Sequence, residues 1–358
     1  MRRFSKIAFV MIISFIVGLF SISGVKVSAD EDYTPELKVK KINDGTGVKV
    51  IVSNVHKDKF YSYELFVTGG AYDGYENTKE PFYYFETDYN AKPKKLTYTI
   101  NAMQPGTYYF CIKADSWENG HVESKTVKVK IKNNNVPDKP MPENNIDLNS
   151  LNKGDSFFMG YYEQDGDMTN GREPIEWVVL SKSDTKLLVI CKYTLDHIPY
   201  NIEDNGDVTW ANCTLRAWLN KMFYKNAFSN EEKALILKSK IKTPGSEYEA
   251  KASTSKDKVF LLSMADMKNE KLFPDKNSRK ASITEYCRVR GGNDMRDSDN
   301  DDGRTTEGNP SCFWTLRGTQ GYAWENDCVN PWGEMFSVGD CFVTYSGNIR
   351  PAMYISLK

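Results

Sequence analysis

Seven short segments between residues 33 and 132 restrict the fold of the first part of this chain more than any other feature. Each segment alternates or is continuously apolar, with turn residues on both sides: ELKVKKI, GVKVIVSNV, YSYELFVTGG, PFYYFETDY, KLTYTINA, GTYYFCIKADS and ESKTVKVKIK. Short strands at such spacing are typical of a β-sandwich. The 21 tyrosines and 18 phenylalanines of the chain favour strands as well. We therefore predict an all-β sandwich over residues 33–132.

The end of this region resembles a known fold family. Residues 103–131, MQPGTYYFCIKADSWENGHVESKTVKVKI, contain a Pro-Gly turn, a Tyr-rich strand, a Gly-containing hairpin and a Ser-bearing final strand. That order resembles the last two strands of fibronectin type III and immunoglobulin-like domains. The resemblance implies a fold and carries no particular activity.

The first 29 residues are typical of a targeting segment. Arg2, Arg3 and Lys6 precede an apolar stretch that runs from Ile7 to Val25, and Val27-Ser28-Ala29 offers small residues for signal peptidase. We predict a signal peptide cleaved after Ala29. An uncleaved anchor is the alternative, because the stretch is long enough to span a bilayer. The expected location is therefore secreted or at the cell surface, with no membrane contact beyond this segment.

The overall charge excludes one class of partner. The chain has 47 basic and 48 acidic side chains, and its formal net charge is −1. Binding to nucleic acid or to an anionic membrane surface requires a basic field that this balance does not supply. We expect no nucleic-acid partner.

The pattern changes after residue 132. Residues 133–147, NNNVPDKPMPENNID, are rich in Asn and Pro and predict an extended linker. Strand patterns then mix with the amphipathic helix TLRAWLNKMF, which places apolar residues on one face. Two capping boxes predict further helix starts, at Ser229 with Glu232 and at Ser263 with Asp266. Residues 148–358 therefore read as an α+β domain.

Several motifs of this domain occur in a fixed order: GDSFFMGYYEQDGDMTNGREPIEWVVL, TWANCTLRAWLN, FWTLRG and GNIRPAMYI. As a set they resemble a widespread secreted bacterial domain of unknown function. Such domains are similar to the C-type-lectin-like fold, in the branch that contains formylglycine-generating enzymes. The resemblance implies a C-type-lectin-like α+β domain over residues 148–358 and brings no established activity. We interpret its signature residues as structural: Glu176, Trp177, Arg216, Trp218, Trp314, Arg317 and Arg350. Glu176 is expected to pair with one of the three arginines, because buried charges require partners.

The acidic segment NDMRDSDNDDGRTTEGN, residues 293–309, is a candidate calcium loop. An EF-hand loop needs Gly at its sixth position and Glu at its twelfth. Counting from Asp297 puts Asp302 and Gly308 at those positions, so the motif fails. Asp297, Asp299 and Asp301 remain candidate Ca²⁺ ligands in another geometry. The favoured interpretation is a solvated surface insertion beside a ligand-binding face, with no cofactor.

A ligand face is expected in the loops between Gly291 and Gly339. The sequence WENDC resembles the Trp-Asn-Asp motif of calcium-dependent C-type lectins, although Glu325 is inserted in it. Aromatic side chains stack on sugars and anchor protein partners. The candidate ligand-binding residues are Trp324, Asn326, Asp327 and Trp332.

Catalytic patterns are poor. His197 is the only histidine after residue 132, and we place it in a surface turn. Formylglycine-generating enzymes use a closely spaced cysteine pair, which Cys328 and Cys341 do not reproduce at 13 residues apart. We therefore predict a non-enzymatic binding or adhesion protein for an extracellular glycan or protein. An enzyme on a formylglycine-generating-type scaffold and a purely structural surface spacer remain the alternatives.

Overall fold

The computed structural model describes residues 33–56, 58–60, 62–69, 95–116, 120–132, 136–142, 147–202, 206–246, 251–295, 303–318, 322, 324–336 and 341–357. The predicted signal peptide, the predicted strand PFYYFETDY and the candidate ligands Asp297, Asp299 and Asp301 lie outside these residues. Within the described ranges, no helix combines the length and the apolar character needed to cross a bilayer.

Residues 33–132 form strands wherever they are described, apart from turns and one short 3₁₀ helix, Asn43–Gly45. The strands are β1 Glu36–Ile42, β2 Gly47–Ser53, β3 Ser62–Gly69, β4 Leu96–Ile100, β5 Gly106–Ser116, β6 Gly120–Glu123 and β7 Val127–Ile131. Six of the seven predicted segments are confirmed as strands. They make two antiparallel sheets: β1-β2-β4, and β3-β5-β6 with β7 also paired to β5.

The alternation in these strands determines what they bury. Along β2, Val48, Val50 and Val52 are fully buried while Lys49 is exposed, as a period of two requires. Leu65 of β3 and Phe110 of β5 join the same apolar cluster from the second sheet. The two sheets therefore share one core.

Residues 136–142, which precede the predicted α+β domain, are hydrogen-bonded to that domain. The Lys139 amide donates to the Arg172 carbonyl (3.0 Å), and the Arg172 guanidinium donates to both oxygens of the Asp138 carboxylate (2.7 and 2.8 Å). Gly171 has a φ of +91°, and a Cβ there would lie 2.0 Å from the Pro137 carbonyl oxygen. Only glycine therefore allows this close approach of the two backbones.

The second region is centred on a five-stranded antiparallel sheet with small ladders beside it. Its strands are β8 Ser156–Tyr162, β9 Glu173–Lys182, β10 Lys186–Cys191, β11 Asp196–Pro199, β12 Ser239–Thr243, β13 Ser253–Asp257, β14 Val259–Phe260, β15 Trp314–Thr315, β16 Cys328–Val329, β17 Met335–Phe336, β18 Ser346–Ile349 and β19 Ala352–Ser356. The main sheet has the order β14-β19-β10-β9-β8, so the last strand is an interior strand. The ladders are β11-β18, β12-β13 and β15-β16-β17.

The helices of this region are short. They are α1 Thr214–Trp218, continued by the π-helical turn Leu219–Phe223 and by α2 Tyr224–Ala227, then α3 Asn230–Leu235, α4 Met264–Met267 and α5 Glu285–Val289, with a 3₁₀ turn at Asn277–Arg279. The helix TLRAWLNKMF and both capping boxes are confirmed. Helix α3 ends earlier than its apolar pattern suggests, because Ile236 leaves the helix to bridge to Ile355 of β19.

The signature residues form the buried framework of this region. Trp177, Trp218 and Trp314 are buried. The Arg216 guanidinium pairs with Asp257 (2.7 Å), and Arg317 pairs with Asp266 (2.9 Å).

One pairing differs from the prediction. Glu176 does not pair with an arginine: its carboxylate accepts from Ser156 Oγ (2.6 Å) and pairs with Lys192 (3.3 Å). Glu176 lies on β9, and Lys192 follows β10, the neighbouring strand, so this cation is the nearest one available. Arg350 donates instead to the Cys191 and Lys192 carbonyls, and its guanidinium lies 5.0 Å from the centre of the Trp314 ring.

Candidate functional site

A cavity of about 450 Å³ lies between the β11-β18 ladder and the small sheet β15-β16-β17. Its volume is in the range of small-molecule sites. Six aromatic side chains line it: Phe313, Trp314, Trp332, Phe336, Phe342 and Tyr345. Its polar lining consists of His197, Asn293, Thr315, Asn326, Asn330, Ser346 and Asn348. The cavity also contains the thiols of Cys328 and Cys341.

The aromatic wall is unusually open to solvent. Phe313, Phe336 and Tyr345 are 46, 36 and 61% exposed. Large apolar side chains scattered over a surface need no explanation, but these three surround one opening. The rings of Phe342 and Tyr345 meet edge to face at 5.0 Å, which orients the wall.

A tight turn presents Trp332 to the cavity. Asn330 Oδ1 accepts from the amides of Trp332 (3.0 Å) and Glu334 (2.9 Å). Gly333 has a φ of +77°, and a Cβ there would lie 1.8 Å from the carbonyl oxygen of Lys276. The turn thus sits directly on another backbone segment, where only glycine fits. Arg279 Nε donates to the Gly333 carbonyl (2.8 Å) and so helps to hold the turn in place.

Asn348 organises the opposite wall. Its Nδ2 donates to the Phe313 carbonyl (2.8 Å), so its Oδ1 faces the ring of His197 at 2.8 Å. Because Oδ1 can only accept, His197 Nδ1 carries the proton in this arrangement and Nε2 keeps its lone pair. Burial lowers the pKa of His197, which favours the neutral ring, while the hydrogen bond that His197 donates to Asn348 Oδ1 opposes that shift.

The electrostatic character of the cavity is simple. Among the described residues that line it, none is a lysine, an arginine, an aspartate or a glutamate. The polar groups are amides, hydroxyls, thiols and a neutral imidazole. An ionic ligand would lose its hydration here without gaining an opposite charge, which is costly. The lining therefore suits an uncharged ligand that combines apolar faces with hydroxyl or amide groups.

Of the four residues predicted from the sequence to bind a ligand, two line this cavity and two do not. Asn326 and Trp332 line the cavity, whereas Asp327 lines a water-sized space of about 20 Å³ beside Arg317. Asn326 and Asp327 are thus adjacent in sequence but lie at different cavities. Trp324 is not among the residues lining the large cavity, and its ring stacks on Tyr322 at 4.1 Å.

The prediction that His197 lies in a surface turn is wrong. It lies in β11, opposite Asn348 of β18, and faces the cavity. Sequence reasoning missed His197, Asn348 and Phe313 as wall residues. Phe313 lies between the buried Cys312 and Trp314, so alternation would have placed its ring on the opposite, solvent face.

A separate acidic cluster consists of Glu163, Asp165 and Glu173, whose carboxylates lie within 4.8 Å of one another. Lys139 offsets part of its charge, since its Nζ is 2.6 Å from both Asp165 and Glu173. Burial, with the neighbouring Glu173 and Asp165, raises the pKa of Glu163 to about 8. We interpret this cluster as an internal ion network that holds the segment 136–142 in place.

The comparisons with known proteins concern the part of the chain that contains the cavity. Residues 184–357 match a domain of unknown function, DUF6273. No curated protein and no solved structure matches the chain. The DUF6273 match begins in the turn between β9 and β10, yet β8 and β9 belong to the same sheet. The folded unit therefore extends before the matched residues, and every described cavity residue lies within the DUF6273 match.

Proposed function

We propose that this protein is a secreted or cell-surface binding protein and that its cavity binds an uncharged carbohydrate. The observation that carries the proposal is the lining itself: six aromatic rings with amides and hydroxyls, and no charged side chain among the described lining residues. Sugars combine apolar C–H faces with hydroxyl groups. The former stack on aromatic rings and the latter exchange hydrogen bonds with amides.

The proposal extends to the arrangement of the two regions. Two sheets that share one core support a fibronectin type III or immunoglobulin-like sandwich over residues 33–132. A C-type-lectin-like domain over residues 148–358 is supported by the central sheet with an interior last strand and by a loop-rich side that contains the cavity. Export rests on the sequence of residues 1–29.

Binding is expected to be independent of calcium. None of the described lining residues is a carboxylate, and Asp327 faces a different space from Asn326. A bound ion shared by Asn326 and Asp327, as in calcium-dependent lectins, does not fit this placement. Loss of binding in EDTA would instead direct attention to Asp297, Asp299 and Asp301.

The test is a glycan array probed with the full secreted chain in calcium and in EDTA, followed by titration calorimetry of each hit. We expect neutral sugars to bind and sialylated or sulfated ones to fail, with the same result in both buffers. An array without hits, or hits confined to charged glycans, would contradict the proposal. Trp332→Ala should abolish the calorimetric signal, and Trp324→Ala should leave it unchanged.

One observation favours a second candidate, an enzyme on a formylglycine-generating-type scaffold. Cys328 and Cys341 are 13 residues apart in sequence, yet their sulfur atoms lie 2.7 Å apart, and both line the cavity. The closely spaced thiol pair that the sequence lacks is thus supplied by the fold. A persistent dithiol in the mature protein would support this candidate. A spacer role is disfavoured, because a spacer needs no concave aromatic site.

A further inference from the structure

Cys328 and Cys341 occupy a position that the other cysteines do not share. Cys191, Cys213, Cys287 and Cys312 are buried, and burial raises the pKa of each thiol, to about 12 for Cys213 and about 11 for Cys312. Such thiols stay protonated and unreactive. Cys328 is also buried, but it lines a solvent-open cavity together with Cys341, which is partly exposed. A small thiol or disulfide that enters the cavity can therefore contact them.

The backbone holds the two cysteines together. Cys328 lies in β16, with Thr315 of β15 opposite it on one side and Phe336 of β17 on the other. The Cys341 carbonyl accepts from the Asn326 amide (2.8 Å), and the Val343 amide donates to the Trp324 carbonyl (2.8 Å). The backbone around Cys341 is therefore held against the segment 324–329, which contains Cys328. A disulfide, with a bond of about 2.05 Å, forms here with a shift of less than about 1 Å.

From this geometry we propose that Cys328 and Cys341 form a redox-active pair that exchanges with small disulfides entering the cavity. The thiolate of one cysteine attacks the disulfide, forms a mixed disulfide and releases one small thiol. The second cysteine then attacks the mixed disulfide, closes the Cys328–Cys341 bond and releases the second small thiol. Two electrons pass from the protein to the small disulfide, and the two protons leave with the released thiols.

The exchange deepens the proposed function, on which this step rests. Asn326 lines the cavity, and its backbone amide donates to the Cys341 carbonyl. Closing the disulfide would therefore tie the segment that holds Asn326 to strand β16. Preorganising a site lowers the entropic cost of binding. The oxidised form is expected to bind the neutral sugar several-fold more tightly than the reduced form.

The experiment equilibrates the full secreted chain with 2-mercaptoethanol and its disulfide, an uncharged pair that suits the cavity lining, at a series of reduced-to-oxidised ratios. The protein is then alkylated without denaturant, and the cysteine peptides are identified by mass spectrometry. We expect the Cys328 and Cys341 peptides to change from linked to alkylated as the ratio rises. Partly exposed Cys111 should be alkylated at reducing ratios, and Cys191, Cys213, Cys287 and Cys312, which do not line the cavity, should stay unlabelled throughout.

Cys341→Ser isolates the first step. In the oxidised reagent it should accumulate about one mercaptoethanol group per chain on Cys328, because the second cysteine that resolves the mixed disulfide is absent. Cys111→Ser is the matched control and should exchange as the unaltered chain does. If Cys341→Ser does not fold, the titration of the unaltered protein still decides the question.

Two results would overturn the proposal. Cys328 and Cys341 could remain alkylated at every reduced-to-oxidised ratio, or their disulfide could survive a large excess of 2-mercaptoethanol in the folded protein. Neither result involves the sugar, so failure of the exchange is distinct from failure of carbohydrate binding. Calorimetry on the separated oxidised and reduced forms then measures the coupling.

Discussion

The surroundings of Asp257 and of Trp332 differ in almost every physical respect, although both lie in the DUF6273 match. Asp257 is fully buried, and its carboxylate accepts from Trp210 Nε1 (2.8 Å) and Arg216 Nε (2.7 Å). Trp332 is only partly buried, lies in a turn and faces an open cavity with no charged lining residue among those described. Asp257 thus holds its charge in a buried network of hydrogen bonds, whereas the described lining of the solvent-open cavity carries no charge.

This difference distinguishes the buried charged framework of the molecule from its open, uncharged cavity. Arg317 donates to the Leu261 carbonyl (2.6 Å) and to Asp266 (2.9 Å), which joins β14, the loop before β16 and helix α4. The motifs that stand out in the sequence therefore stabilise the fold. The cavity lining combines residues of the motifs FWTLRG and GNIRPAMYI with amides and aromatic rings from the intervals between the motifs.

The largest expected effect tests the framework. Asp257→Ala leaves Arg216 without its carboxylate partner, and breaking a buried ion pair costs about 3–5 kcal/mol. Urea unfolding should show a loss of this size in the free energy of unfolding. Asp184→Ala, at an exposed turn, is the matched control and should change stability very little. A small loss for Asp257→Ala would mean that the framework is not built on this pair.

The next effect tests the cavity. Trp332→Ala should reduce carbohydrate affinity at least about tenfold, because it removes a large stacking surface at the centre of the site. The free energy of unfolding should change by less than about 1 kcal/mol, since the ring is partly exposed. Calorimetry and urea unfolding measure the two quantities on the same sample. If Trp332→Ala lowered the free energy of unfolding and the free energy of binding by equal amounts, Trp332 would belong to the framework as much as to the cavity.

A smaller effect concerns pH and the ion network around Glu163. The folded pKa of about 8 is above the ordinary 4.5, so the folded state retains a proton that the unfolded state has lost. Stability therefore falls as the pH rises from about 4.5 to about 8, and is flat beyond.

Glu163→Gln removes this ionisation and keeps the acceptor for the Gly166 amide. Its stability relative to the unaltered chain should rise with pH between about 4.5 and about 8. Thermal melts across the pH range measure the difference. Glu270→Gln, at an exposed position, should follow the unaltered chain.

The smallest effect has the opposite sign and involves the cavity wall. The pKa of His197 is lowered from 6.5 by burial, so below that pH the unfolded state binds a proton more readily than the folded state. Stability that depends on the neutral ring is thus present above pH 6.5 and is lost as the pH falls towards the folded pKa. His197→Gln should show a shallower acid limb in the same melts. An unchanged acid limb would indicate that His197 is not held neutral by the wall.

Much of the local structure was predictable because it depends on residues near one another in sequence. The valines of β2, the helix TLRAWLNKMF and the capping boxes at Ser229 and Ser263 carry periodicities and spacings of a few residues. Trp177 and Trp314 could be assigned to the core because they sit within apolar strand patterns. The partner of Glu176 was predicted wrongly as an arginine, because the strand pairing that brings Lys192 beside it is set by the tertiary structure.

The sequence by itself determined six strands within residues 33–132, the helix TLRAWLNKMF, and the burial of Trp177, Trp218 and Trp314. Only the tertiary structure decided that His197, Asn326, Trp332 and the Cys328–Cys341 pair share one cavity, while Asp327, next to Asn326, does not. The physical reason is that secondary structure follows short-range periodicity. A binding site depends on which side of the backbone each residue faces, and on which distant segments pack against it.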